Sequence, residues 1–244
     1  MKKLMLIIAL CPLLSFGQFN ILGGKNIIKT NLMGLAIKNY NITYERSFLR
    51  KFSLSLGYRT MPKTNMPKSM AENLDKTLDN EFIKFDGFQM GNTAITAELR
   101  FYVGLKRMGG FYIAPYYRNA TFDLTIPVKN LNDASNTINL SGKIKSSSLG
   151  LLLGKQWILG KFVVLDFWIL GGHYGSSKGS LEANGITNYG TPEELNQYVG
   201  QQLVTNAGPF KVTGTATSAS SARIDIDGPW VGIRSMSLCL GIKL

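Results

Sequence analysis

From about residue 27 to the C-terminus, stretches of about 9 to 15 residues alternate apolar and other side chains, and the connections between them are sorted by length. The alternation predicts eight strands, near 27–37, 39–47, 51–61, 90–103, 110–122, 145–158, 161–175 and 230–244. Strands two and three, four and five, and six and seven are joined by the tight pieces "FLR", "GLKRMG" and "LG". The joins at the other end hold about 28, 22 and 54 residues, and only the first connection, around Lys38, breaks that series. Short turns at one end and long loops at the other are the pattern of an outer-membrane barrel, and a soluble sandwich has no reason to sort its loops this way. Each strand also suits the roughly 9 to 11 tilted residues that cross a bilayer. The expected fold class is all-β: an eight-stranded antiparallel transmembrane β-barrel with short helices in its extracellular loops.

The two faces of the strands carry the physical content. In strand four Thr93, Ile95, Ala97, Leu99, Phe101 and Val103 point one way, and Asn92, Thr96, Glu98 and Arg100 the other. Strand three sets Phe52, Leu54, Leu56 and Tyr58 against Ser53, Ser55, Gly57 and Arg59, and the last strand sets Met236, Leu238, Leu240, Ile242 and Leu244 against Ser235, Ser237, Cys239, Gly241 and Lys243. In a barrel of this kind the apolar set meets lipid and the polar set fills the lumen. Counting from the tight turns places Lys29, Glu45, Glu98, Arg100, Asp166 and Lys243 inward, in the half nearer those turns. A lumen only wide enough for side chains leaves no room for unpaired charge, so a hydrogen-bonded ion network centred on Glu98 and Arg100 is expected. Inward Gly57, Gly150, Gly154, Gly172, Gly232 and Gly241 are expected to relieve crowding.

The segment "LGLLLGKQWILGKFVVLDFWILGGHYG" is a poor membrane helix. Lys155, Lys161 and Asp166 interrupt it, each at roughly 2.5 to 3.5 kcal/mol near a helix centre, and Gly154 and Gly160 weaken it further.

The N-terminal "MKKLMLIIALCPLLSFGQ" has the basic, apolar and small-residue regions of a secretory signal, with cleavage expected after Gly17. The expected organisation is a signal peptide over 1–17, a periplasmic segment over 18–25 and the barrel over 26–244, with long loops near 62–89, 123–144 and 176–229. Cleavage removes Cys11, leaving Cys239 alone and no internal disulfide, and lowers the formal charge from +12 to +10. That basic balance suits lipid phosphates, nucleic acid or acidic glycans and does not by itself choose among them.

In the loops, "TPEELNQYVGQQLV" reads as a helix with Thr191 as N-cap, Pro192 at its first position and Glu194 closing a capping box, with Leu195, Tyr198, Val199 and Leu203 on one face. "PKSMAENLDKTLDNEF" is a second helix candidate, striped by Met70, Leu74 and Leu78. Such stripes commonly dock a loop on its own rim. "TFDLTIPV", "TINLSGKIK" and "ARIDID" alternate and are expected to carry strands beyond the membrane. Lys63, Lys68, Lys76 and Lys84 can touch lipopolysaccharide phosphates or simply solvate the loop.

Few residues suggest catalysis. The one histidine, His173, falls by parity on the outward face, near Ser176 and Ser177, but no third group at local spacing orients it as a base. One His and one mature Cys do not make a usual zinc site, and the glycine pairs at 23, 109 and 171 lack a phosphate-loop pattern. No cofactor is expected.

"KTNLMGLAIKNYNITYERSF", "AELRFYV" followed by "GGFYIAPYYR", "LGLLLGKQWILGKFVVLD" and "MSLCLGIKL" together resemble the domain-of-unknown-function 3575 family of Bacteroidota outer-membrane β-barrels, and the likeness touches all eight strands. The resemblance implies a small OmpA-like barrel without an assigned activity; it carries no catalytic residues. Where such barrels usually end in an aromatic residue, this chain ends in Leu244. The expectation is a non-enzymatic structural or binding protein of the bacterial outer membrane with a plugged lumen. Its expected partners are outer-membrane lipid and lipopolysaccharide, the barrel-assembly machinery and an unknown protein reached through the loops, and no nucleic acid. The alternatives are an accessory subunit of a secretion or surface-assembly system, a lipid A-modifying barrel enzyme and a narrow channel.

Overall fold

The computed structural model describes residues 24–66, 68–78, 85–104, 106–130, 133–186, 191–196, 209–218 and 220–244. The expected signal peptide lies outside them, as do Lys84 and the second half of the helix expected from Thr191. Nine strands follow one another: β1 (Asn26–Asn31), β2 (Tyr40–Ser47), β3 (Phe52–Asn65), β4 (Gln89–Tyr102), β5 (Gly110–Asn130), β6 (Asp133–Leu159), β7 (Val163–Asn184), β8 (Lys211–Ser218) and β9 (Ser221–Lys243). Neighbours pair antiparallel from β1 through β7 and on to β9, and β9 pairs back to β1, so eight strands close into a ring. Closure leaves the ring without a free edge along its paired length.

The eight-strand expectation holds for the ring and falls short outside it. β5, β6, β7 and β9 run well past the ring as a taller sheet, and β8, which the alternation did not reveal, pairs along the upper part of β9. The stretches expected to hold strands beyond the membrane lie in this extension. Its own core gathers Ile138, Ala183, Ile186, Ala222 and Leu195. Leu195 belongs to a helical turn over 192–196 that Thr191 caps, its hydroxyl accepting from the Glu194 N–H at 3.2 Å. This part of the loop therefore docks on its own sheet. A second helix, α2 (Lys68–Leu78), forms where expected, although the side chains of its Met70, Leu74 and Leu78 lie outside the described residues.

The first strand departs from the expectation of a run to residue 37. β1 stops at Asn31, whose side chain accepts from the Gly34 N–H at 3.0 Å and so caps a short helix, α1 (Leu32–Ala36). Lys38 in the left-handed region, with Asn39 N–H donating to the Gly34 carbonyl at 2.9 Å, turns the chain into β2. A Cβ at Gly34 would sit 2.7 Å from that Asn39 carbonyl, so the turn requires glycine there.

This early stop leaves a slot in the wall. β9 pairs with β1 only from Cys239 to Lys243 and with β8 only from Ser221 to Asp227; along the same edge between them, α1 packs against β9 in place of a strand. The Asn31 amide crosses the seam to the Ser237 hydroxyl at 3.2 Å.

Outward side chains are apolar around the whole ring, among them Leu54, Ile95, Leu151, Leu170 and Ile242. Phe48, Phe101, Phe111, Trp157 and Phe162 gather toward the tight turns, and Tyr40, Tyr58, Tyr117 and Tyr174 toward the long-loop end. Lys155 lies along this exterior, its ammonium 4.5 Å from the Phe111 ring centre and 5.1 Å from that of Trp157.

Candidate functional site

The lumen has three storeys. At the tight-turn end an apolar floor packs Ile27, Tyr102, Met108, Tyr112 and Val164, with Met108 folded in from the β4–β5 turn. The Met108 carbonyl accepts from the Gln156 amide at 2.8 Å, tying that turn to the storey above.

The second storey is a charged plug. Lys29 on β1 donates to Glu45 at 2.7 Å and to Asp166 at 2.6 Å, and Arg100 on β4 reaches Glu98 at 2.6 Å, Asp166 at 2.8 Å and Glu45 at 3.3 Å. Neutral groups take the remaining lone pairs: the Ser53 and Tyr102 hydroxyls donate to Glu45 at 2.6 Å each, and the Tyr112 hydroxyl to Asp166 at 2.7 Å. The Arg100 guanidinium also lies over the Tyr112 ring, 4.4 Å from its centre. With these side chains almost wholly shielded from solvent, the pairing and the added hydrogen bonds are what make the burial tolerable.

Five of the six residues expected in this network, Lys29, Glu45, Glu98, Arg100 and Asp166, thus meet. Lys243 does not join them: it sits one pair nearer the rim than Gly241, half-buried, its side chain running past Gly24. The missing cation is Arg234, which donates to the second oxygen of Glu98 at 2.8 Å. Lys29 and Arg100 offset two of the three carboxylates, and Arg234 the third.

Parity counting missed Arg234 because the strands change face part-way up. In β7 the pairing with β6 slips between Gly154↔Trp168 and Leu153↔Leu170, so Ile169 and Leu170 both face outward. β9 breaks at the same level, with Met236 at φ 48°. Below the break Asp166, Trp168, Ser237 and Cys239 point inward; above it Gly171, His173, Gly232 and Arg234 do.

The same slip corrects two further expectations. His173 faces the lumen rather than outward, with its Nδ1 2.9 Å from the Tyr116 hydroxyl, and Gly172 faces outward with open space where a Cβ would stand. Ser177 is buried and donates to the Gly228 carbonyl at 3.3 Å. The expected inward role of Gly150, Gly154, Gly232 and Gly241 agrees with their surroundings, since a Cβ on each would collide with Tyr116, Tyr112, His173 and Lys29 respectively.

Above the plug is a chamber of about 240 Å³. Its charged lining residues are Arg59, Arg118, Arg234 and Glu98. The Arg234 guanidinium is fixed between two rings, 4.3 Å from the centre of Trp168 and 4.7 Å from that of Tyr116. Arg59 and Arg118 find only neutral acceptors among the described residues: the Asn92 side-chain carbonyl for Arg59, and the Thr96 hydroxyl at 3.1 Å for Arg118. Among the described residues, buried donors on three lining side chains, Arg59 Nε, Arg234 Nη1 and Trp168 Nε1, have no acceptor, and the Asn39 Oδ1 acceptor has no donor. The chamber also reaches the slot, where Met33, Ile37 and Ile233 line it while remaining more than half exposed on the outside. Arg59 stands on the inward face that strand three's alternation predicts, but sequence reasoning did not connect it with Arg118 across the lumen. The signal was available in β5, where Tyr112, Tyr116 and Arg118 share one parity.

Neither a curated protein nor a solved structure matches the chain. A family model described as "Protein of unknown function (DUF3575)" matches residues 4–207, most of the chain and seven of the eight ring strands. The closed ring and its charged interior are therefore the form taken by a member of that family: the chain belongs to DUF3575.

Proposed function

We propose that the protein is an outer-membrane β-barrel of structural or binding type, closed to flow by its own side chains and displaying the tall sheet extension outward. The observation that carries this reading is the exterior of the ring, apolar on every strand and bordered by aromatic residues toward both ends. A soluble monomer rarely exposes so large a contiguous apolar surface. Lys155, stretched along Phe111 and Trp157, suits a boundary where an ammonium can reach water while its stem stays in lipid. Expected partners are therefore membrane lipid and lipopolysaccharide, with the barrel-assembly machinery acting during insertion.

The apolar floor and the ion network together support a lumen that does not conduct. In planar bilayers the purified protein is expected to show no conductance above an empty preparation; reproducible unitary steps would overturn the closed lumen. The membrane assignment has a separate check. The protein should fractionate with outer membranes and migrate differently on SDS gels before and after boiling; recovery in the soluble periplasmic fraction with unchanged mobility would sink it.

We favour a non-enzyme. Against a lipid-modifying hydrolase stands the environment of His173, held against Tyr116 with no carboxylate in hydrogen-bond contact among the described residues. The accessory-subunit reading draws on β8: it is last in the strand order, and although Asn196 Oδ1 accepts from the Ala216 N–H at 3.0 Å, the strand is an edge to which a partner strand can add.

A further inference from the structure

We propose that the chamber above the plug binds an anionic amphiphile, its carboxylate or phosphate head held among Arg59, Arg118 and Arg234 and its apolar tail leaving through the slot beside α1. The head site rests on the lumen alone; only the tail's passage into lipid rests on the outer-membrane reading.

Charge comes first. The plug and Arg234 offset one another, so Arg59 and Arg118 remain as two cations in the lumen without a carboxylate among the described residues. Enclosed charge of one sign calls for a counter-charge, and none of the chamber's lining residues other than Glu98, already shared by Arg100 and Arg234, can supply it. Hydrogen bonding points the same way. Of the four unpartnered buried side-chain atoms on the chamber's described lining residues, three are donors, Arg59 Nε, Arg234 Nη1 and Trp168 Nε1, and one is an acceptor, Asn39 Oδ1; a guanidinium has no acceptor to offer in return. An oxyanion, with several acceptor oxygens in a compact head, satisfies those donors, and guanidinium forks match carboxylate and phosphate geometry. Arg234 is preorganised for it by the rings of Trp168 and Tyr116.

The wall supplies the second half of the ligand. A simple anion would need only the long-loop end of the lumen, yet the chamber also opens sideways where β1 gives way to α1. The lips of that opening are Met33, Ile37 and Ile233, all apolar and all facing the lipid side of the ring. A charged head inside and an apolar exit at mid-wall describe one molecule with both characters.

The test uses the full barrel purified in a neutral detergent, titrated with laurate, dodecyl phosphate and, as the uncharged match, dodecanol. The two anions should bind saturably and dodecanol should not; equal binding of all three overturns the head site. R59Q/R118Q, which leaves the Glu98 network intact, should weaken the anions by about tenfold or more while keeping the heat-dependent gel shift. Undiminished affinity in that folded variant also overturns the site. In the wild type, affinity should rise from octyl to dodecyl phosphate, and I37E should remove that rise; a rise that persists overturns the slot as the tail's exit. Mass spectrometry of protein extracted from membranes then separates the sources, since a phosphate-bearing lipid and a free fatty acid differ in mass. A water-filled chamber, with no anionic amphiphile retained and no saturable titration, refutes the proposal while an outer-membrane location stands. Saturable, arginine-dependent binding by a protein recovered outside membranes does the reverse.

Discussion

Arg100→Ala is expected to lower the stability of the folded barrel by roughly 3 to 5 kcal/mol, the range for breaking a buried ion pair from one side. Arg100 touches all three carboxylates of the plug, and its removal leaves Glu98, Glu45 and Asp166 with two paired cations among the described residues, Lys29 and Arg234. Lys76→Ala, on the exposed surface of α2, is expected to change stability by no more than about 0.5 kcal/mol. Urea titrations of the two variants in the same lipid or detergent decide the matter, and equal midpoints would refute the network. A second substitution sharpens the test. If the cost arises from an orphaned carboxylate, adding Glu98→Gln to Arg100→Ala should recover part of it, a non-additivity expected only of side chains in contact.

Much of the ring and its plug is legible in the chain because period-two alternation and turn length report the same physical fact, a strand that must bury one face and cannot leave an edge. Glu45, Glu98, Arg100 and Asp166 lie between a tight turn and the first irregularity on their strands, and Lys29 lies within β1 before it stops at Asn31, so counting lands each on its true face. The count fails where a strand gains a residue. Nothing in "FWILGGHYG" announces that Ile169 and Leu170 both face outward, although the glycine pair after them hints at a place where the backbone can bend. His173, Gly172 and Arg234 lie beyond such breaks, and with them went the chamber. The end of β1 was obscured differently. "NLMGLAIKNY" alternates well enough to pass for strand, and only the capping role of Asn31 and the crowded position of Gly34 show why it turns into helix. β8 escaped because "KVTGTATS" has little apolar contrast to read.

Two glycines that alternation treats alike should separate cleanly in experiment. Gly154→Val is expected to destabilise the barrel by about 1 to 3 kcal/mol or more, the usual cost of overpacking. Its first side-chain carbon would land in the Tyr112 ring, and that ring holds Asp166 by its hydroxyl while lying under Arg100. The clash therefore pushes on the plug from β6, and either the ring leaves Asp166 short of a donor or the strand moves. Gly172→Val meets open space on the outward face and replaces a strand glycine, a poor β-former, with a good one, so it is expected to be neutral or to stabilise by up to about 1 kcal/mol. Thermal or urea unfolding followed by the heat-dependent gel shift reads both. Comparable losses in the two variants would place Gly172 back inside the lumen and remove the change of face in β7. Since that change of face is also what turns His173 and Arg234 inward, the comparison tests the foundation of the chamber without touching any residue that lines it.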